Sequence, residues 1–331
     1  MIPKKAFVTG ATGFLGSHLI DRLLEKGWEV HALVRKSSNL RWLSGKKINL
    51  YYGDVVGDLA ALREGLKEVD LCFHLAGVIR AARPSDYDKV NAEGTRNVLE
   101  SLLQVNPKVG KVVVVTSLAA SGPAQNGRPL NETDDCRPVT DYGKSKLKAE
   151  KIAMSYCDRL PVTIIRPPGI YGPRDTQIYH YFKMATRGFI ILPRGGERRL
   201  NLVHSDDVVQ GILLAAESPQ STGETFFIGD GENYSWEEIV DQVSAAVRPR
   251  GVFKLRLPKS MGYLLGGCGE IFMRLTGQII PINLTNIKNF FKGNWILDIG
   301  KARRILGYRP THPLAEGLQE TAAWYRKQGW L

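Results

Sequence analysis

Short runs of apolar residues alternate with amphipathic stretches through the first half of the chain. The runs predict buried strands at Lys5–Thr9, Glu29–Val34, Ile48–Tyr51, Leu71–Leu75, Val112–Thr116 and Val162–Ile165. The amphipathic stretches, whose apolar residues recur with a helical period, predict helices at Leu15–Glu25, Asp58–Lys67, Tyr87–Val105 and Tyr142–Cys157. Continuous apolar strands separated by helices are typical of a parallel sheet covered on both faces, so we expect an α/β, doubly wound Rossmann fold.

The alternation of predicted strands and helices ends after Arg166, where proline and glycine become frequent. Val203–Ala216 then predicts a return to the sheet followed by a helix. From Tyr234 onward, helices and short segments lead to an amphipathic helix at Leu314–Lys327. We therefore expect a dinucleotide-binding domain at residues 1–170, re-entered around 200–230, and a smaller substrate-binding lobe made of 171–199 and 231–331.

The composition and charge of the chain bear on whether it binds nucleic acid. The chain has 331 residues and a net charge of +12, but Lys and Arg are scattered without a run of five or more. A basic, solvated surface that tolerates anionic cofactors is favoured over nucleic-acid binding.

The four cysteines form no CxxC pair, which argues against a metal site and suits a reducing cytoplasm. Because Met1–Lys5 leads straight into the first strand and no apolar run is long enough to span a bilayer, we expect neither a signal peptide nor a transmembrane segment.

A glycine-rich loop separates the first predicted strand from the first helix. Gly10 permits a tight turn, Gly13 lets a pyrophosphate approach the backbone, and Gly16 lets the helix pack close to the sheet. The N-terminus of that helix offers free N–H groups and a partial positive charge to phosphate. The expected cofactor contacts here are Gly10, Thr12, Gly13, Phe14, Leu15 and Gly16.

The end of the second strand bears on which nicotinamide cofactor binds. An acid there suits the ribose hydroxyls of NAD, whereas Arg suits the extra phosphate of NADP. Here the strand is followed by Arg35 and Lys36 without an acid, so NADP(H) is favoured and NAD(H) is the alternative. Further contacts are expected after the third and fourth strands, at Asp54, Val55, Leu75, Ala76 and Gly77.

With these motifs in order along nearly the whole chain, the sequence resembles the extended short-chain dehydrogenase/reductase superfamily. The NAD-dependent epimerases and dehydratases are members, and the motif style is closest to 3β-hydroxysteroid dehydrogenases and dihydroflavonol reductases. The matching pieces are the TGATGFLG loop, Gly53-Asp54, His74-Leu75-Ala76-Gly77, Asn91-x-x-Gly94-Thr95-x-Asn97, Thr116-Ser117, Tyr142-x-x-x-Lys146, Arg166-Pro167-x-x-x-Tyr171-Gly172-Pro173 and His204-x-Asp206-Asp207.

The resemblance implies a catalytic triad of Ser117, Tyr142 and Lys146. The residue chemistry agrees: Lys146 lies one helical turn beyond Tyr142, and its charge favours the phenolate of a side chain that otherwise titrates near pH 10. Ser117 is preferred to its neighbour Thr116 as the hydroxyl that holds the substrate oxygen, because the family's serine usually precedes the tyrosine by about 25 residues. The remaining expected cofactor contacts are Thr116, Tyr142, Lys146, Pro168 and Ile170.

Three functions remain open at this point. The first is reversible oxidation of a secondary alcohol to a ketone on a bulky, hydrophobic small molecule. The second is NAD-dependent epimerisation or dehydration of a nucleotide sugar, and the third is a nucleotide-binding subunit without catalysis. The intact triad argues against the third function.

Three features favour the alcohol–ketone reaction over the nucleotide-sugar reaction. Val34-Arg35 suggests a dissociable NADP rather than the tightly held NAD of epimerases. Leu200-Asn201 stands where nucleotide-sugar enzymes often have an Arg-Asp pair, although Arg198 and Arg199 could compensate. The apolar segment Leu255–Asn283 suits a lipid-like ligand, with lobe core or a membrane-contacting face as its alternatives. The resemblance also implies a homodimer.

Overall fold

A computed structural model describes residues 4–81, 83–125, 127–194, 198–248, 251–276, 284, 287 and 293–331. Its centre is a seven-stranded, wholly parallel sheet in the order β11-β6-β5-β4-β1-β2-β3. The strands are β1 (Lys5–Thr9), β2 (Glu29–Val34), β3 (Ile48–Tyr52), β4 (Leu71–His74), β5 (Lys111–Val115), β6 (Val162–Arg166) and β11 (Thr225–Phe227). This confirms the expected α/β Rossmann fold.

Helices cover both faces of the sheet. Successive side chains of β1 point to opposite faces of the sheet. Ala6 and Val8 pack into the core beneath α1 and α7, whereas Phe7 faces the core beneath α2, α4 and α5. These helices are α1 (Phe14–Glu25), α2 (Ala60–Leu66), α4 (Gly94–Val105), α5 (Asp141–Met154) and α7 (Ser205–Glu217). The order of the strands reverses between β1 and β4, and the carboxyl ends of strands at such a reversal are where α/β sheets bind ligands.

A third hydrophobic core lies apart from the sheet. Phe182, Val240, Leu318 and Tyr325 are among its buried residues. Its elements come from the two segments outside the main sheet: α6 (Tyr179–Thr186), β8 (Phe189–Pro193), α8 (Trp236–Val247), β13 (Phe253–Leu257) and α11 (Leu314–Lys327). Strands β8 and β13 pair in parallel.

The remaining elements connect these layers. Two short strand pairs are formed by β7 (Gly169–Tyr171) with β10 (Leu202–His204), and by β9 (Arg199–Leu200) with β12 (Tyr234–Ser235). The other helices are α3 (Pro84–Tyr87), α9 (Lys259–Thr276) and α10 (Gly300–Leu306). In the described parts of the chain, no helix is long and apolar enough to cross a membrane.

Two predicted elements differ from the structure. The helix predicted at Tyr87–Val105 is interrupted by a π-helical turn at Asp88–Glu93, which separates α3 from α4. The strand predicted to return to the sheet at Val203 pairs with β7 instead, and β11 is the strand that joins the main sheet. The helix that follows Val203 is confirmed as α7.

Candidate active site

A cleft of about 600 Å³ opens at the carboxyl ends of β1, β4 and β5. Most of the residues predicted to bind cofactor or substrate meet there, although they are far apart in sequence. The predicted residues that line the cleft are Gly10, Gly13, Phe14, Leu15, Gly16, Leu75, Gly77, Thr116, Ser117, Tyr142, Lys146, Pro168 and Ile170.

The glycine loop has the shape that a dinucleotide requires. Gly10 has a φ of +72°, and a Cβ atom there would lie 2.7 Å from the backbone nitrogen of Ala76. Gly16 packs so closely on Gly10 that a Cβ would collide with its carbonyl oxygen. Gly13 caps α1 without a side-chain hydrogen bond, so first-turn N–H groups face the cleft. This cradle fits the pyrophosphate of a nicotinamide dinucleotide.

A buried chain of hydrogen bonds supports the loop. The amide of Ala76 donates to Thr9 Oγ1, which lies 2.8 Å from His74 Nδ1. On the other side of the ring, Nε2 lies 3.1 Å from Thr95 Oγ1, which donates to the carbonyl oxygen of Asn91. Burial lowers the pKa of His74 to about 3, and Lys146 acts in the same direction. The imidazole is therefore neutral and connects β1 to the turn that carries Asn91.

Tyr142 stands at the start of α5, facing the cleft beside Ser117. Burial raises the pKa of Tyr142 to about 12, and its hydrogen bond with the side chain of Ser117 acts in the opposite direction. Ser117 Oγ also accepts a hydrogen bond from the amide of Ala119 at 3.1 Å, which orients this hydroxyl. The phenol is therefore protonated at neutral pH.

Lys146 lies one turn along the same helix and is buried. Its Nζ donates to the carbonyl oxygen of Val115 at 3.2 Å. Burial lowers the pKa of Lys146 to about 8, with Glu150 acting in the opposite direction. An anion in the cleft, such as a phenolate or a phosphate group, would restore the preference of this lysine for its charged form.

The two neighbouring hydroxyls at the end of β5 have different partners. Thr116 Oγ1 donates to Glu150 Oε1 at 2.6 Å, within a buried network in which Arg166 Nε donates to the same oxygen at 2.9 Å. The hydroxyl of Ser117 instead faces Tyr142. This geometry supports the choice of Ser117 over Thr116, whose hydroxyl is used to attach α5 to the sheet.

Asn91 holds the loop after β4 against α5. Its Oδ1 accepts from the amide of Val78 at 2.8 Å, and its Nδ2 donates to the carbonyl oxygen of Val78 and to Ser145 Oγ. The residue lies in the π-helical turn, which brings its side chain between these partners. These three hydrogen bonds tie the loop after β4 to α5.

Five predicted cofactor residues are not among those that line the cleft. Arg35 is exposed in the turn after β2, where its amide donates to Ser38 Oγ. Asp54 Oδ1 accepts from the amide of Val55, and the side chain of Val55 is buried beneath α4. The five are Thr12, Arg35, Asp54, Val55 and Ala76.

The far half of the cleft contains residues that sequence analysis missed. Tyr181 and Trp236 come from α6 and α8, and Trp295 comes from the chain leading to α10. Leu200, from β9, also lines this half. No local motif marks these residues, because each is an ordinary apolar position of its own element and only the tertiary fold brings them together.

The apolar segment Leu255–Asn283 was expected to suit a lipid-like ligand, but its described side chains do not line the cleft. Leu264, Ile271 and Leu275 are instead exposed on α9, because this helix turns them away from the protein. Ile279 and Ile280 lie outside the described residues. The aromatic residues that line the cleft therefore come from other elements than this segment.

The His204-x-Asp206-Asp207 segment joins α7 to the chain before α11. Both carboxylate oxygens of Asp207 accept from the backbone of Thr311 and His312, and the ring of His312 stacks on that of His204 at 4.2 Å. His204 accepts from the amide of Asp206 as the cap of α7. The segment is thus a structural junction.

The fold and the glycine cradle are those of a nicotinamide-dependent enzyme. The chain belongs to the NAD-dependent epimerase/dehydratase family, whose model matches residues 6–229. The resemblance to extended short-chain dehydrogenases/reductases is thereby confirmed.

Relatives of both reaction types are similar over nearly the whole chain. The ceramide reductase of Caulobacter vibrioides is 26% identical over 98% of this chain and 95% of its own length. The UDP-glucose 4-epimerase of Vibrio cholerae is 27% identical over 97% of this chain and 95% of its own. Among solved structures, MoeE5 in complex with UDP-glucose and NAD has a TM-score of 0.77 and 25% identity, covering 98% and 99% of the two chains.

Proposed function

We propose that this protein is an NADP(H)-dependent oxidoreductase that interconverts a secondary alcohol and a ketone on a bulky, hydrophobic substrate. The observation that carries the proposal is the meeting of Ser117, Tyr142 and Lys146 in a cleft that continues into aromatic side chains. The segments 171–199 and 231–331, which supply the third core, are proposed as the substrate lobe. A homodimer that involves α5 is proposed from the resemblance.

Each catalytic side chain has one task in the direction of reduction. Ser117 hydrogen-bonds the substrate oxygen and holds it toward Tyr142. Tyr142, protonated because burial raises its pKa, donates its proton to that oxygen. Lys146 holds the nicotinamide ribose and stabilises the phenolate that forms. The reduced nicotinamide, when bound, supplies the hydride.

The walls of the cleft favour a net oxidation or reduction over epimerisation of a nucleotide sugar. Leu200 lines the cleft at the position where nucleotide-sugar enzymes often have an arginine, and Tyr181, Trp236 and Trp295 offer flat apolar surface to a polycyclic or lipid-like molecule. The similarity to a ceramide reductase agrees with such a substrate.

The second candidate function is NAD-dependent epimerisation or dehydration of a nucleotide sugar. It is favoured by Arg198 and Arg199, which also line the cleft, because guanidinium groups bind diphosphates well. The similarity to a UDP-glucose 4-epimerase points the same way.

The nucleotide that accompanies the purified protein distinguishes the two functions. The protein is purified without added nucleotide and denatured, and the released nucleotide is identified by mass spectrometry. An empty protein, or one that loses NADP(H) on washing, supports a dissociable cosubstrate and the proposed reaction. Tightly retained NAD indicates a cofactor recycled within each turnover and contradicts the proposal.

Preference for NADP(H) is assigned to Arg35. Substituting Arg35→Ala is expected to raise the KM for NADPH about tenfold to a hundredfold, because charge-assisted hydrogen bonds to the adenosine phosphate are lost. The KM for NADH should remain nearly unchanged. Lys36→Ala, at an exposed neighbouring cation, is the matched control and should have a much smaller effect. Equal losses with NADPH and NADH in the Arg35 variant would remove this residue from the proposal.

A further inference from the structure

Exposed apolar side chains are concentrated in one segment of the chain. In the described parts of the molecule, eight of the eleven exposed large hydrophobic residues lie between Phe253 and Leu275, and three lie elsewhere. Phe253 is 70% exposed, Leu264 is 67% exposed and Leu275 is 82% exposed. Single exposed apolar residues are ordinary, but a contiguous set marks an interaction surface.

Most of these residues share one side of α9. At 100° per residue they fall within an arc of about 120°. We call this set the apolar face of α9; it consists of Met261, Leu264, Leu265, Ile271, Phe272 and Leu275. A different side of the helix is buried through Gly262, Gly266, Gly269 and Met273. The helix therefore presents its small residues to the protein and its large apolar residues to the outside.

The segment that contains α9 has more basic than acidic residues. Residues 248–276 include six Lys or Arg residues and a single acid, Glu270. Two of the six basic side chains are neutralised by acids of α8, since Lys254 pairs with Asp241 and Arg256 with Glu237, and the segment keeps a net positive charge. An apolar helix face within a segment of net positive charge is the pattern of helices that lie in the surface of an anionic bilayer.

We propose that the apolar face of α9 docks this protein on the surface of a membrane that contains anionic lipids. The helix would lie in the plane of the interface, with its apolar side chains among the acyl chains and nearby Lys and Arg residues at the headgroups. This inference concerns binding and does not depend on the proposed reaction. If both hold, a hydrophobic substrate could reach the cleft directly from the bilayer.

Charge also argues against a second copy of the chain as the partner. A twofold interface brings the same surface of both copies together. Two copies of the 248–276 segment would therefore place like charges near each other, which opposes association. An anionic lipid surface satisfies both the apolar and the basic residues.

Vesicle sedimentation tests the proposal on the full-length protein. The probes are vesicles of equal parts phosphatidylglycerol and phosphatidylcholine, and vesicles of phosphatidylcholine alone. The wild-type protein should bind the anionic vesicles more strongly, and high salt should weaken but not abolish this binding. The double variant Leu264→Glu, Leu275→Glu is expected to lower the partition coefficient about tenfold or more, because it removes apolar contact and adds charge.

The matched control makes the same change in net charge elsewhere. Gln104 and Gln220 are exposed, on α4 and beside α7, and Gln104→Glu, Gln220→Glu should keep most of the vesicle binding. All variants should bind NADPH with unchanged affinity in a fluorescence titration, which shows that they are folded. Equal losses of vesicle binding in the two double variants would overturn the role of the apolar face.

Two further outcomes would also overturn the proposal. One is a wild-type protein that fails to sediment with either kind of vesicle. The other is a dimer in the wild type that the Leu264→Glu, Leu275→Glu substitutions convert to a monomer without changing vesicle binding. That result would assign the apolar face of α9 to contact with a second copy of the chain. The Tyr142→Phe variant should bind vesicles as the wild type does. Vesicle binding and enzymatic activity therefore test membrane docking and the proposed reaction independently.

Discussion

Substituting Tyr142→Phe is expected to lower kcat by about 10²- to 10⁴-fold, because the variant has no proton to give to the substrate oxygen. The ring remains, so its packing beside Tyr87, at 6.1 Å between ring centroids, should be preserved. The dissociation constant for NADP(H) and the melting temperature should therefore stay close to those of the wild type. Steady-state kinetics with a hydrophobic ketone and a nucleotide titration measure these quantities.

The matched control is Tyr87→Phe. Tyr87 is buried next to Tyr142 but is not among the residues that line the cleft, so the same loss of a hydroxyl should leave most of the activity. If Tyr142→Phe retains normal turnover, the proposed mechanism is wrong. If both variants lose activity equally, the effect comes from loss of hydroxyl groups that shape this part of the protein rather than from proton transfer by Tyr142.

Substituting Glu150→Ala is expected to reduce the free energy of unfolding by about 3–5 kcal/mol. The side chains of Glu150 and Arg166 are only 4% and 8% exposed and form an ion pair between α5 and β6. Removing the carboxylate leaves the guanidinium buried without a counter-charge, and Thr116 loses its shorter hydrogen bond and keeps the one to the carbonyl oxygen of Ile165. Urea denaturation monitored by tryptophan fluorescence measures the change.

An exposed ion pair of the same helix provides the comparison. Lys148 pairs with Asp88 at 2.9 Å, and both side chains are about half exposed. Asp88→Ala should therefore cost about 0–1 kcal/mol. A loss of less than 1 kcal/mol in Glu150→Ala would mean that water or a rearranged side chain replaces the carboxylate, and that the pair is not what holds the catalytic helix on the sheet.

The sheet could be predicted from sequence because its strands are buried on both faces. A strand such as Lys111–Val115 is continuously apolar after its first residue, and this pattern survives in any tertiary context. The strand at Leu202–His204 could not be assigned to its partner in the same way. Three apolar residues fit several neighbours, and its pairing with Gly169–Tyr171 depends on the path of the intervening chain.

Part of the candidate site could also be predicted from local sequence patterns, and part could not. The glycine loop and the Tyr142–Lys146 pair are local patterns whose spacing carries their chemistry, and the structure brings them to one cleft. The aromatic wall could not be predicted, since Tyr181, Trp236 and Trp295 come from three separate elements. The sequence left open whether the segment of α9 meets a ligand, the core or a membrane, because an apolar face has the same pattern whether it points into the core or out to solvent.

The hydrogen-bond chain beneath the dinucleotide loop runs in one direction. Thr95 already donates to Asn91, so it can only accept from His74 Nε2–H; the other ring nitrogen must then accept from Thr9, which in turn accepts from Ala76. A single tautomer of His74 satisfies every donor and acceptor in this chain of hydrogen bonds. Replacing either threonine by valine would leave one nitrogen of the buried imidazole without a hydrogen-bond partner. A substitution at position 9, 74 or 95 therefore changes the hydrogen bonding of the other two residues.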